Sequence, residues 1–308
     1  PYTTLFRSTG LAPASVRAEG FLDNGGGVIA ANGDLRIDAG ALLNRGGVLQ
    51  TTGSSALDVA VSGALDNSAA GLIVAGGRLG VEAATLDNRR GALQSARSDL
   101  ALQVSARLDN REGSVFAGRD LHAGLGSLDN TGSLYALGQA SFVVGDVLAN
   151  GATIAAAGNL TISAGQVAGT PASLFGAGIA PDGSLTAAGA LRMDSTGSLV
   201  AQGQNLAAAG IVLTGSSIDL SGSRSQGGAV DIAASAGTVV NHDRLTQTAS
   251  HAGSYRTGDA VHAGACRKWH HDANRTGGIN LSLQRRYRQR YNDCGQLPAE
   301  KGGWYVLH

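Results

Sequence analysis

Along most of this chain apolar residues come in short alternating runs that recur with a period near twenty, with glycine and polar residues filling the corners between them. The clearest marker is the tripeptide Leu-Asp-Asn, intact at residues 22–24, 65–67, 86–88, 108–110 and 128–130 and degenerate at Leu43-Asn44 and at residues 148–150. Asn24, Asn44, Asn67, Asn88, Asn110, Asn130 and Asn150 follow one another at intervals of 20, 23, 21, 22, 20 and 20 residues. After each corner a glycine leads into a pair of residues two apart, one apolar and one small: Ile29 and Ala31, Leu49 and Thr51, Ile73 and Ala75, Leu93 and Ser95, Val115 and Ala117, Leu134 and Ala136. Period two with one side apolar is the pattern of a strand with one buried face. A second strand follows, marked by Leu35 with Ile37, Leu57 with Val59, Leu79 with Val81, Leu100 with Leu102, Phe142 with Val144 and Leu160 with Ile162. The leucine of the next tripeptide is a third apolar point and closes the coil. The pattern predicts an all-β solenoid with coils of about 20–23 residues.

One such coil holds four or five aliphatic side chains, too few to cover a core alone, so stacking of neighbours is required for stability. The repeated asparagines are read as a structural turn ladder. Asparagine tolerates the left-handed conformation of tight corners, and its amide both donates and accepts, so stacked copies can bond coil to coil. The rival reading, calcium at the recurring aspartates, lacks the Gly-Gly-x-Gly-x-Asp nonapeptide that builds such sites. No catalytic, cofactor or metal residue is assigned.

From about residue 152 the tripeptide fades, yet strand patterns continue at Ile154, Leu160 with Ile162, Leu191 with Met193, Ile211 with Leu213, Ile218 with Leu220 and Val230 with Ile232. A loop is expected over residues 169–182, where Pro171 and Pro181 interrupt pairing. At about 4.8 Å per coil, some ten or eleven coils make a rod on the order of 50 Å long. The expected organisation is a non-repeat leader over residues 1–19, a β-helix with Leu-Asp-Asn repeats over 20–150, its looser continuation over 151–248, and a basic, poorly ordered non-repeat tail over 249–308. Residues 1–8 lack repeat character and are set outside the fold as a sequence or assembly scar.

Composition supports a narrow, regular interior. The chain is 43% hydrophobic but only 4% aromatic and 15% charged, with 47 glycines and 5 prolines, so the filling comes from Ala, Leu, Val and Gly. The formal net charge of zero hides a split: residues 1–250 carry 14 Lys and Arg against 19 Asp and Glu, and residues 251–308 carry 9 against 4. The body offers no clustered cations for a phosphate backbone, so nucleic acid is not an expected partner. No apolar run reaches the roughly 18 residues a membrane span needs, and no signal peptide opens the chain. Both cysteines, Cys266 and Cys294, lie in the tail.

Taken together, Leu-Asp-Asn, Gly-x-Leu/Val-x-Ala, Gly-Asp-Leu-x-Ile at residues 33–37, the segment Ser-Leu-Phe-Gly-Ala-Gly-Ile at 173–179 and Leu-Val-Ala-Gln-Gly-Gln-Asn at 199–205 resemble the haemagglutinin repeats of filamentous haemagglutinin-like exoproteins. The resemblance covers residues 20 to 245. It implies a right-handed parallel β-helix, export by two-partner secretion through an outer-membrane β-barrel transporter, and display as a surface filament. Some relatives are adhesins that meet a host or bacterial surface receptor; others carry a toxin for contact-dependent growth inhibition on a similar stem. The chain shows neither the Asn-Pro-Asn-type secretion motif nor the Val-Glu-Asn-Asn toxin boundary, and so reads as an interior piece of a longer secreted protein, an adhesin shaft ahead of a toxin stem.

Parallel β-helices also serve as polysaccharide-degrading enzymes, which gather two or three acidic residues under long loops. Here the aspartates recur once per coil at one corner, and His122 and His242 stand isolated, so catalysis is not expected. The tail is a separate matter, with readings left open: a zinc site from Cys266, His270, His271 and Cys294, which lacks paired short spacings; binding of nucleic acid or an acidic surface by the basic and tyrosine-rich run at residues 285–291; and a shifted reading frame.

Overall fold

The computed structural model describes residues 5–241, Ala187 excepted, together with the strand segments Leu245–Gln247 and Tyr255–Thr257. The described residues form a parallel β-helix without a helix of any kind. Each coil contributes one short strand to a 12-stranded sheet that begins Leu5–Ser8, Val28–Ala31, Val48–Thr51, Leu72–Ala75 and runs on to Leu245–Gln247. It then contributes a longer strand, such as Leu35–Leu43, Leu79–Asp87 or Leu100–Asn110, to a 16-stranded sheet. Every paired strand is parallel to its neighbour, and the only antiparallel contact among the described residues is the isolated bridge between Ile179 and Leu185.

The long strand bends partway along. The register slips between Val104 and Arg107 and between Leu125 and Leu128, turning the two halves of the strand onto different faces. In one coil the halves separate altogether, as Leu57–Val61 and Ala64–Asp66. After residue 190 they are separate throughout, as Leu191–Ser195 and Ser198–Ala201 and then Gly210–Gly215 and Ser217–Asp219. The third apolar point of the sequence pattern is therefore a paired strand in its own right: Leu108 aligns with Leu128 and Leu128 with Leu148.

Inward side chains stack in register to make one unbroken core from Ile29 to Val239. The first half of the long strand sends three residues inward where the alternation suggested two, because Ala39, Val61, Ala83 and Val104 follow the expected pairs on the same face. Phe142 and Val144 accordingly occupy the second and third of these positions, with Ala140 in the first. Phe142 lies beside Ala123, a small residue facing a large one, which keeps the layer volume even.

Two boundaries differ from the sequence pattern. Leu5–Ser8, placed outside the fold for want of repeat character, pairs with Val28–Ala31, since parallel pairing needs only backbone. The excursion from the shaft falls at residues 178–190 instead of 169–182. Pro171 sits in the corner turn before Leu174–Ala177, where no ladder hydrogen bond is asked of it, and the chain leaves the shaft only after Ala177. Of the tail expected over residues 249–308, Tyr255–Thr257 is a strand paired with residues 232–234, and residues 249–254 and 258–308 lie outside the described residues.

Candidate functional site

The corner built by Leu-Asp-Asn is the most regular polar feature of the molecule. Strand alternation sends its leucine into the core, its aspartate outward and its asparagine inward. The seven asparagines are between 0% and 1% exposed, a degree of burial that an amide tolerates only when its hydrogen bonds are made. The structure brings all seven into one line. Asn24 Nδ2 donates to Asn44 Oδ1 at 2.7 Å, Asn44 to Asn67 at 2.7 Å, Asn67 to Asn88 at 2.8 Å, Asn88 to Asn110 at 2.7 Å, Asn110 to Asn130 at 2.8 Å and Asn130 to Asn150 at 2.8 Å. The second amide hydrogen turns to backbone, as in Asn67 Nδ2 to the Gly71 carbonyl at 3.1 Å. At the ends the line is open: Asn24 Oδ1 is buried without a partner, and beyond Asn150 the register places Gly169.

The glycine after each corner is part of the same device. A Cβ on Gly91 would stand 2.0 Å from the Asn67 carbonyl oxygen and 2.7 Å from Asn88 Oδ1, and one on Gly113 would meet Asn88 O at 2.2 Å and Asn110 Oδ1 at 2.6 Å. After Asn44, Asn67, Asn88 and Asn110 the corner thus requires a residue without a side chain three or four places on, at Gly47, Gly71, Gly91 and Gly113, whereas the matching position is Gly132 two places after Asn130 and Ala152 after Asn150. The left-handed residue of the corner, assigned above to asparagine itself, is instead two places later. Gly26 and Gly46 have φ of 64° and 61°, and Ala69, Arg90 and Glu112 take up the same region at 53°, 57° and 56°. The asparagine keeps an ordinary backbone because its amide is held in the ladder.

On the outer side of the corner the aspartates cap the turn. Asp23, Asp66 and Asp87 each accept the backbone N–H two residues on, at 2.8, 3.0 and 3.0 Å. Arginines interleave with them along the axis. Arg89 holds Asp87 at 2.6 Å and approaches Asp109 at 3.8 Å, Arg111 holds Asp109 at 2.6 Å, and Arg107 reaches Asp129 at 2.9 Å. Burial pushes the Asp109 carboxyl up, but the hydrogen bonds from the side chain and backbone of Arg111 and the charge of Arg107 outweigh it and hold it below the usual carboxylate range. Asp87 is lowered by the same balance with Arg89. On the opposite corner the Arg119 hydrogen bond lowers Asp99. A shallow open depression of about 350 Å³ runs along this rim between Arg45, Arg89, Arg90, Arg111 and Glu112. Its cations are matched by carboxylates, Arg90 to Glu112 at 2.8 Å among them.

Among the described residues no group of three His, Cys, Asp or Glu is placed to hold a metal ion, and no helix is long and apolar enough to cross a membrane. His122 projects outward from the long-strand sheet and is exposed. His242, Cys266, His270, His271, Cys294 and the basic run at 285–291 lie outside the described residues. The sequence pattern gave no hint of one polar feature. Asn205 and Ser225 occupy inward positions of the short-strand sheet that Leu134, Ile154 and Phe175 hold in earlier coils, and Asn205 Nδ2 donates to Ser225 Oγ at 3.1 Å.

The Haemagglutinin repeat family matches residues 22–69, 55–112, 99–170 and 156–249, which together span the whole ladder and the looser coils after it. Among curated proteins, Toxin CdiA of Yersinia pestis is 39% identical over 93 residues, covering 30% of this chain and 3% of that protein. The chain thus corresponds to a small part of that relative's length. No solved structure matches.

Proposed function

Because the chain belongs to the haemagglutinin repeat family, we propose that it is the rigid, non-catalytic shaft of a filamentous bacterial adhesin, exported by two-partner secretion and displayed at the cell surface or released. The observation that carries this reading is the coincidence of the repeat match with a single uninterrupted core from Ile29 to Val239, which suits a spacer or contact surface repeated along an axis. The corner carboxylates recur coil after coil and are each engaged with an arginine or a backbone N–H, which suits structure and leaves no distinct acid and base pair for hydrolysis. Attachment by such a surface is weak per coil and accumulates along the filament.

The likeness to Toxin CdiA supports a second reading, the stem of a contact-dependent inhibition toxin. The two separate in one experiment. Purified chain is immobilised, and retention of epithelial cells and of bacterial cells under flow is measured against a bare surface. The adhesin reading expects cell retention by this chain itself. The stem reading expects none, with binding residing elsewhere in the longer protein.

A further inference from the structure

The coils around residue 177 pass from the short-strand sheet to the long-strand sheet on three residues: 137–139 and 157–159 before it, and 208–210 after it. The coil of Leu174–Ala177 takes thirteen, residues 178–190, for the same step from Ala177 to Leu191. The two ends of this insertion touch. A Cβ on Gly189 would collide with the amide nitrogen of Gly178, so Gly178, Gly189 and Ala190 bring the chain to Leu191 as a three-residue corner does. Residues 179–188 are therefore surplus to the column, as an insertion with adjacent ends is.

The place where the insertion lies is specific. The outward column of the short-strand sheet runs Phe116, Tyr135, Ala155, Gly176 and Leu206 in register. The two small residues between Tyr135 and Leu206 leave a notch, and Ile179 fills it. Ile179 is 4% exposed and Ala155 1%, and a Cβ on Gly176 would stand 2.6 Å from Ile179 Cγ1. Hydrogen bonds fix the seat. The Ile179 N–H donates to the Ala156 carbonyl at 3.0 Å, the Tyr135 hydroxyl to the Ile179 carbonyl at 2.7 Å, and the Thr186 hydroxyl to the Ala157 carbonyl at 3.2 Å. The insertion thus grips its own coil, the coil before and the one before that, in a fold whose coils otherwise depend on immediate neighbours.

This grip falls where the corner changes its chemistry. Register puts Ala149 after Asp129 in the carboxylate column and Gly169 after Asn150 in the ladder. Asn150 Nδ2, with no asparagine above it, turns to the Leu174 carbonyl at 3.3 Å. We propose that the insertion is a clasp: it couples the coils on either side of this joint, so that the coils after Asn150 open together with the ladder coils and not as a separate unit. The role is independent of what the shaft attaches to.

Backbone hydrogen exchange, resolved by peptide, tests it on the full chain and on the full chain lacking residues 179–188. The readout is the other sheet, at residues 163–169 and 198–201, against residues 81–87 and 102–110 of the ladder coils. In the parent the two regions exchange equally slowly. The shortened chain should keep its β circular dichroism and its slow exchange at 81–87 and 102–110, while 163–169 and 198–201 exchange at least tenfold faster. Ala155→Leu, which fills the notch, should act in the same way. Ile179→Ala and Tyr135→Phe keep the insertion whole and should accelerate the same peptides by a smaller factor; Ile179→Ala decides the matter if the shortened chain does not fold. Unchanged exchange at 163–169 and 198–201 in the shortened chain, or in Ile179→Ala, overturns the proposal. So does an equal acceleration at 81–87 and 102–110, which marks a general loss of stability and no joint.

Discussion

Asn88 stands in the middle of the ladder, accepting from Asn67 and donating to Asn110, and it is wholly buried. Asn88→Ala leaves one buried donor and one buried acceptor unmatched, at about 1 to 3 kcal/mol each, so a loss of roughly 2 to 5 kcal/mol is expected in denaturant unfolding. Asn88→Asp keeps the shape and the acceptor but loses the donor, and sets a carboxylate against Asn110 Oδ1. Its folded pKa must rise above the unfolded value, so the variant's deficit relative to the parent should be greatest at pH 7 and shrink as pH falls through that raised pKa. Thermal melts of both proteins at pH 7 and pH 4.5 check the sign. Left-handed backbone sets a second residue-scale expectation. Ala69 carries a Cβ at φ 53° at an exposed position, and Ala69→Gly should stabilise by about 1 kcal/mol. Gly91→Ala should be severely destabilising, because its Cβ has a backbone carbonyl and not a yielding side chain in its way.

At the scale of the element, the corner binds its strands through two separate devices, a neutral ladder inside and an ionic ribbon outside, and pH tells them apart. Asp87, Asp99, Asp109 and Glu112 all have carboxyls held below their usual range by arginine partners. Their contribution is therefore complete above the unfolded carboxyl pKa of about 4 and is lost as pH falls through the lower folded values. Melting temperature should hold steady from pH 7 to 5 and drop below pH 4, and the ladder amides should not contribute to that drop. Much of this element was legible in the sequence: the spacing of Asn24 to Asn150 marks the coils, and the alternation at Ile29 and Ala31 or Leu35 and Ile37 marks which faces are buried. What the alternation missed has physical causes. Ala39 and Ala83 are too small to announce a third inward position, and the bend at Val104 to Arg107 is a slip of register that leaves no mark in the pattern of apolar residues. The true left-handed position was hidden because Ala, Arg and Glu hold it in three coils, residues that rarely do so. The glycines at 47, 71, 91 and 113 were visible, but only their close approach to the ladder amides explains them.

The whole molecule is a column in which each coil touches mainly the coil before and the coil after, so its parts are interchangeable in a way that those of a globule are not. Removing residues 89–110 takes out one full ladder step and brings Asn88 into line with Asn130. The shortened chain should fold with the same β spectrum and a rod shorter by about 4.8 Å in small-angle scattering. The coils after Asn150 lose the asparagine line and gain Asn205 and Ser225 in the core, yet the two sheets run through this change without a break. That continuity is the central claim, and backbone hydrogen exchange on the full chain, resolved by peptide, tests it most directly. The account predicts slow exchange in both sheets from Val28 through Leu220, with no step at Asn150. Protection that stops at Asn150, with residues 151–220 exchanging like unfolded chain, would contradict it.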